Sequence, residues 1–353
     1  MREKQVNMFV FDCERMKYPH TGYSVFCESL ADSLVRQAGR NGESLGLFVP
    51  ERFVGHWGAG VSYYKEHFWN RFYLPCPPEI KVWHASYQYT HYLPPRNVRV
   101  VLTVHDLDFL YSRPSYSHGR YVDEIQCRVD RADSVVAVSE STKRDLVKNV
   151  NMRGKYVEVI YNGLNKFEGD EQPPVVKPDG EFLFSVGTVV PKKNFHVLPA
   201  LLRDNAYRLI IAGNRSRYEH DIMDEARRWG VEDRVSIIGP VPEPVKYWYI
   251  RHCSAFLFPS VAEGFGLPVI EAMYYRKPIF LSDRTSLPEI AGDCAIYFDH
   301  EFTPDKMREE FAAGMERFRN GGMDTDRMVE HARSFSWERT ARRYLEIYRE
   351  LSD

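Results

Sequence analysis

"AFLFPSVAEGFGLPVIEAMYYRKPIFLSD", residues 255–283, reads as one strand–helix–strand unit. "AFLFPS" is a short apolar run, the pattern of a strand covered on both faces. Pro268 suits the first turn of a helix around "PVIEAMYYR", and "KPIFLSD" is the next strand. Repetition of this unit builds a doubly wound parallel sheet, which binds ligands at the carboxyl ends of its strands. Gly264 and Gly266 allow unusual backbone angles and close approach of a ligand. The amides near residues 264–269 open a helix, and a helix start favours an anion. Glu263 stands just before this loop and Glu271 about one turn inside the helix. Two carboxylates beside a phosphate would repel it, so they make better sense as acceptors for hydroxyls. A sugar ring and a ribose both offer hydroxyls, and a nucleotide-sugar fits. A capped helix with a surface Glu in its first turn fits the same local features.

The same alternation extends in both directions. Strands are expected in "NMFVFDC", "ESLGLFV", "IKVWHAS", "VRVVLTVHD", "SVVAVSE" and "YVEVIYNG", with helices in "GYSVFCESLADSLVRQAG", closing near Gly39, and in "STKRDLVKNV", opened by a Ser/Thr cap. Residues 165–180, "NKFEGDEQPPVVKPDG", are charged, proline-rich and aperiodic, as a connection between domains would be. The alternation then restarts with strands in "EFLFSVG", "YRLIIAG" and "RVSIIGPV" and helices in "NFHVLPALLRD", "HDIMDEARRWG" and "VKYWYIRHCS". The expected fold is α/β, with two Rossmann-like doubly wound domains facing an interdomain cleft. The expected boundaries are 1–164 with the C-terminal helix 337–353, a linker at 165–180, and 181–336.

Bulk composition bounds the function. The 353 residues carry a net charge of −2, which argues against a general nucleic-acid binder. Six cysteines form no Cys-x-x-Cys pair and stand near no His cluster, so neither a zinc site nor a disulfide framework is expected. No apolar run reaches the length of a membrane span, and the N-terminal apolar stretch reads as a strand; a cytoplasmic protein is the expectation.

Three further stretches carry chemistry. In "FSVGTVVPKKNFHVL" a strand ends at Gly187, and the following loop carries Thr188, Lys192 and Lys193. Cations at the end of a parallel strand can neutralise a diphosphate, although adjacent lysines on a loop are more often solvated. In "VVLTVHDLDFL", His105 ends a buried strand. It reads as a proton carrier, as a hydrogen-bond donor to substrate, or as a histidine that pairs with Asp106 or caps the next turn. Gly22 lies between the first strand and the first helix. The stretch lacks Gly-x-Gly-x-x-Gly, so the dinucleotide fingerprint fails.

Together these pieces resemble a known family. "SVAEGFGLPVIEAM" resembles the E-x7-E signature of retaining GT-B glycosyltransferases, and "VGTVVPKKN" their phosphate loop. "TVHDL", "VVAVSESTKRDL" and "VIYNGLN" resemble their first-domain markers in the usual order, and "FSWERTARRYLEIY" their C-terminal helix. The resemblance runs from about residue 20 to 350 and is nearest to glycosyltransferase family four; the ordered set is far more specific than any one motif. It implies a nucleotide-sugar donor held by the second domain, retention at the anomeric carbon, and no cofactor or metal. It also implies a C-terminal helix that crosses back to the first domain. By position it implies Glu263 at the hydroxyls of the transferred sugar and Glu271 at the ribose. It implies the amides of Gly264, Phe265, Gly266 and Leu267 at the sugar and phosphate, and Lys193 at the diphosphate. His105 would approach the sugar, Gly22 would admit the phosphate, and Gly213 and Val241 would touch the nucleotide. Many members carry Arg where this chain has Thr188, so the diphosphate would rely on Lys193, with Lys192 or Arg215 as further cations.

The Thr-type loop, with "LPPRNVRVVLTVHDL", most resembles mannosyltransferases of bacterial surface-polysaccharide assembly. GDP-mannose is the expected donor, with UDP-sugars as the alternative, and a glycan or lipid-linked glycan is the expected acceptor. "VSYYKEHFWNRFYLP", residues 61–75, fits an acceptor groove, a peripheral contact with the inner face of the cytoplasmic membrane, or a packed aromatic loop. Two other classes compete: a GT-B epimerase or phosphorylase, and a non-catalytic nucleotide-sugar-binding subunit.

Overall fold

In the computed structural model, which describes residues 7–353, thirteen strands form two wholly parallel sheets. The chain divides into two compact units. The first runs to Gly163 and resumes at Phe335–Asp353; the second is Leu164–Ser334.

The first unit holds β1 (Met8–Asp12), β2 (Ser44–Val49), β3 (Ser62–Lys65), β4 (Ile80–Ala85), β5 (Arg99–Val104), β6 (Ser134–Ala137) and β7 (Val157–Val159), in the order β3-β2-β1-β4-β5-β6-β7. Val10, Val82, Val100, Leu102 and Val135 are fully or almost fully buried, as expected of strands with helices on both faces. The helix Gly22–Asn41 opens on Thr21, whose Oγ1 accepts from Ser24 N at 3.3 Å. It runs past Gly39 to close at Gly42. The helix Glu140–Asn149 opens on Ser139, whose Oγ accepts from Thr142 N at 3.0 Å. The short strand β3 escapes a reading based on apolar runs, because "SYYK" has polar ends and is only half-buried.

The C-terminal helix Trp337–Ser352 belongs to this first unit. Trp337, Ala341, Tyr344, Leu345 and Tyr348 form its buried face. Each large side chain so buried contributes about 1.5–3 kcal/mol. Tyr348 OH lies 2.6 Å from His84 Nδ1, His84 Nε2 lies 2.7 Å from Thr103 Oγ1, and Thr103 Oγ1 lies 2.8 Å from Tyr344 OH. This chain of hydrogen bonds ties the helix to β4 and β5. Burial holds His84 well below its usual pKa, so the ring is neutral and can donate through one nitrogen and accept through the other. Arg343 binds Glu158 and Arg349 binds Glu43 at the rim.

The second unit holds β8 (Phe182–Val186), β9 (Arg208–Ala212), β10 (Val235–Gly239), β11 (Ala255–Phe258), β12 (Ile279–Ser282) and β13 (Ile296–Phe298), in the order β10-β9-β8-β11-β12-β13. Counted within the unit this is 3-2-1-4-5-6, and it reverses direction between β8 and β11. The segment expected as a helix in "NFHVLPALLRD" is a 3-10 helix, Phe195–Leu202. Pro199 lies inside it, and in a regular α-helix its ring would clash with the carbonyl four residues back. Residues 165–180 carry no helix or strand but belong to the second unit. Phe167 stacks on Tyr247 at 5.2 Å and Gln172 N donates to Pro244 O at 3.3 Å.

Candidate active site

The strand order reverses between β8 and β11, and the region at the carboxyl ends of such strands is where a doubly wound sheet takes its ligand. Both expected motifs enter this region. After β8 the chain passes Gly187 and Thr188 and makes a tight turn at Pro191–Lys193. After β11 it passes Ser260 and reaches Glu263. Lys193 Nζ lies 2.5 Å from Glu263 Oε1, with the side chains only 14% and 12% exposed. The ammonium also lies 4.8 Å from the Phe258 ring centroid, a favourable cation–π contact. Val261 N donates to Lys192 O at 2.9 Å and binds the two loops together.

The loop after β12 straps the glutamate loop. Glu263 N donates to Thr285 Oγ1 at 3.0 Å, and Ser286 Oγ lies 2.9 Å from Glu263 O and 3.3 Å from Phe265 O. Gly266 takes φ 96° and caps the helix Leu267–Tyr274, a conformation that disfavours any side chain. Gly264 keeps an ordinary φ, so the expectation of unusual angles holds for Gly266 and not for Gly264. Gly264, Phe265 and Leu267 are buried at this turn.

Glu271 is 2% exposed, which removes the reading of it as a surface residue. Lys246, in the first turn of the helix Glu243–His252, puts Nζ 3.1 Å from Oε1 and 3.0 Å from Oε2. Tyr247 OH donates to Oε1 at 3.2 Å. Burial raises the pKa of Glu271, Lys246 and the Tyr247 hydroxyl pull it down, and nearby Glu243 adds to the rise. Oε2 accepts no well-directed hydrogen bond although it is buried.

Gly213 closes β9 at the same end of the sheet. Its N donates to Gly239 O at 2.8 Å, and a Cβ there would stand 1.9 Å from Gly187 O. Val241 follows β10 and is half-buried. Arg215 is held by Glu219, with Nε 2.9 and 3.0 Å from the two carboxylate oxygens. In the second unit the structure therefore gathers Thr188, Lys193, Gly213, Val241, Glu263, the loop 264–267 and Glu271 at one end of one sheet.

His105 and Gly22 lie in the first unit. His105 follows β5; its Nε2 donates to Ser86 O at 2.8 Å, and its N donates to Gln88 Oε1 at 3.2 Å. Its ring stands edge-on to Tyr23 and Phe26. Burial brings its pKa down to about 4, so the ring is neutral near pH 7 with Nε2–H committed to Ser86. That removes it as a charged proton donor. Gly22 starts its helix, and a Cβ there would meet no atom within 4 Å. Asp12, at the end of β1, is buried with its pKa pushed up to about 8; its Oδ1 accepts from Glu14 N at 2.9 Å and its Oδ2 from Thr90 Oγ1 at 3.3 Å. No sequence motif pointed to it.

Among the described residues no three His, Cys, Asp or Glu side chains gather where they could hold a metal ion. Nor is any helix long and apolar enough to cross a membrane.

Comparison with known proteins gives the family. A family model described as Glycosyltransferase Family 4 matches residues 24–166, and one described as Glycosyl transferases group 1 matches residues 167–335. The chain belongs to the group 1 and family 4 glycosyltransferases. It is similar to O-antigen chain mannosyltransferase B of Escherichia coli, 26% identical over 97% of this chain and 99% of that one. It is also similar to O-antigen chain mannosyltransferase RfbU of Salmonella typhimurium, 28% identical over 59% of each chain, so the match spans 59% of that relative's length. Among solved structures, HepE of Anabaena in complex with UDP and glucose superposes with TM-score 0.67 at 16% identity, over 98% of this chain and 100% of that one. The fold of this glycosyltransferase is GT-B.

Proposed function

We propose that this glycosyltransferase moves a hexose, with mannose from GDP-mannose as the first assignment, to a glycan or lipid-linked glycan in surface-polysaccharide assembly. The transfer proceeds with retention at the anomeric carbon and without a metal. The observation that carries this reading is the Lys193–Glu263 pair across the β8–β11 reversal, largely withdrawn from water. A withdrawn cation is a strong ligand for a diphosphate, and a carboxylate beside it is a strong acceptor for sugar hydroxyls. The buried Glu271 Oε2 supplies an acceptor for a ribose hydroxyl.

In the proposed step the bond between C1 of the sugar and the phosphate oxygen breaks, and its electron pair leaves with the diphosphate. Lys193 and the amides at Gly266 and Leu267 stabilise that charge as it forms. The acceptor hydroxyl attacks C1 from the same face, and its proton passes to the leaving phosphate oxygen. Glu263 orients the sugar through its hydroxyls rather than attacking C1. His105 is neutral and brings no charge to the reaction. The names of the two O-antigen relatives support mannose; the UDP and glucose bound by HepE support a UDP-sugar as the second choice.

The test is an NMR assignment of the product's anomeric configuration, with GDP-mannose as donor and EDTA present. An α-linked product formed at the rate seen without EDTA is expected. A β-linked product would overturn retention, and loss of transfer in EDTA would overturn metal independence.

A further inference from the structure

The segment between β3 and β4 faces its aromatic residues outward. Residues 67–74 read "HFWNRFYL". Phe68–Arg71 form one 3-10 turn, locked by His67 N donating to Asn70 Oδ1 at 2.7 Å and by Tyr73 N donating to Trp69 O at 3.1 Å. Asn70 and Leu74 anchor it; they are 6% and 5% exposed. The four rings on the other face, Phe68, Trp69, Phe72 and Tyr73, are 61%, 61%, 78% and 71% exposed. The turn thus buries its amide and leaves its rings in water, the reverse of an ordinary surface turn.

The rings are ordered by one another and by a cation. His67 stacks on Trp69 at 4.7 Å, and the Phe68 and Phe72 rings meet edge-on at 6.1 Å. The Arg71 guanidinium lies 3.9 Å from the Phe68 centroid and 6.0 Å from that of Phe72. From His67 to Pro78 the chain has no acid; Arg71 is its fixed charge.

We propose that this turn is a membrane-docking element that seats in the interfacial layer of an anionic phospholipid bilayer. Trp and Tyr are enriched at the headgroup level, where an amphipathic ring is half in hydrocarbon and half in water. An Arg whose stem lies along aromatic rings can reach lipid phosphates while those rings insert. Rings of about 150–250 Å² at these exposures present about 550 Å² in all. That is large for a solitary apolar patch, yet below the roughly 800 Å² per partner of a stable protein interface. A second copy docked symmetrically on this turn would also bring Arg71 against Arg71, with no acid on the patch to separate them. A bilayer interface requires neither the larger area nor a complementary shape, and it supplies the missing negative charge. The attachment is peripheral and independent of the donor chemistry.

The test is co-sedimentation of the full chain with phosphatidylethanolamine vesicles containing about a quarter phosphatidylglycerol, and with phosphatidylcholine vesicles. Binding to the anionic vesicles is expected. It should fall about tenfold in F68S/W69S/F72S/Y73S and several-fold in R71E, and brominated lipid should quench wild-type tryptophan fluorescence more than that of W69F. Circular dichroism checks the quadruple variant's fold, and if it fails, R71E and W69F carry the test alone. Equal binding by wild type and variants, or no binding to either vesicle, would overturn the proposal. So would a concentration-dependent dimer in sedimentation velocity that the serine variant abolishes, because it would assign the patch to a second copy. Hydrolysis of GDP-mannose in vesicle-free buffer is measured alongside. Lost vesicle binding with hydrolysis unchanged supports the docking role, whereas absent hydrolysis in the wild type tells against the proposed reaction and leaves the docking result standing.

Discussion

Replacing Lys246 by methionine should destabilise the second unit in a pH-dependent way. Methionine keeps much of the side chain's length and removes its charge. Glu271 would then be a buried carboxylate held by the Tyr247 hydroxyl alone, with Glu243 still repelling it. Breaking a fully buried ion pair costs about 3–5 kcal/mol; Lys246 keeps 19% of its side-chain exposure, so about 2–3 kcal/mol is the better figure here. The pH sign follows from the direction of the shift. Burial raises the pKa of Glu271, so the folded chain holds this proton more readily than the unfolded chain. Its contribution to stability is therefore complete below the usual carboxyl pKa and is lost as pH rises through the folded value. Removing Lys246 raises the folded value further and extends the loss to higher pH. The wild type and K246M should differ by about 2–3 kcal/mol at about pH 8 and by under about 1 kcal/mol at about pH 4, below the usual carboxyl pKa. In calorimetry this is a melting shift of about 5–10 °C for the second unit's transition at the higher pH. Adding E271Q to K246M should recover most of it. An equal shift at both pH values, or no recovery in the double variant, would refute the pairing as the cause.

Two further outcomes follow from the same site. K193A should weaken binding of GDP about 10–100-fold in calorimetry, because a desolvated cation is removed from the diphosphate's place; unchanged affinity would remove Lys193 from that role. G213A should destabilise the second unit by more than about 3 kcal/mol, since its Cβ would lie 1.9 Å from Gly187 O; a melting temperature within a degree or so of wild type would contradict the packing at this end of β9.

Much of the fold was legible because its strands are near-continuous apolar runs. "YRLIIAG" and "AFLFPS" can hardly be anything else when helical patterns flank them. β3 and β13 were not legible: "SYYK" has no apolar run, and "IYF" is only three residues long. Helix ends slipped where several capping residues compete: Gly39 and Gly42 at one end, Ser139 and Ser141 at another. In the candidate site, the residues whose types declare a chemistry were found, while their partners were not. Glu263 meets Lys193 from seventy positions away. Lys246 sits in "VKYWYIRH", where nothing local says that its amine reaches Glu271. Thr285 and Ser286 hold the glutamate loop through side-chain hydroxyls bound to its backbone, and sequence does not say which backbone a hydroxyl will reach. Pairing across a sheet is a tertiary fact, and periodicity cannot carry it.

In the proposed reaction Lys193 and Glu263 serve the transfer of sugar from a nucleoside diphosphate. The most direct measurement is turnover of a panel of GDP- and UDP-sugars by the wild type and by E263A, followed as nucleotide release. Turnover with GDP-mannose above every other donor is expected, with a loss of at least about a hundredfold in E263A while the protein stays folded. Near-normal turnover by E263A, or release from no donor in the panel, would contradict it.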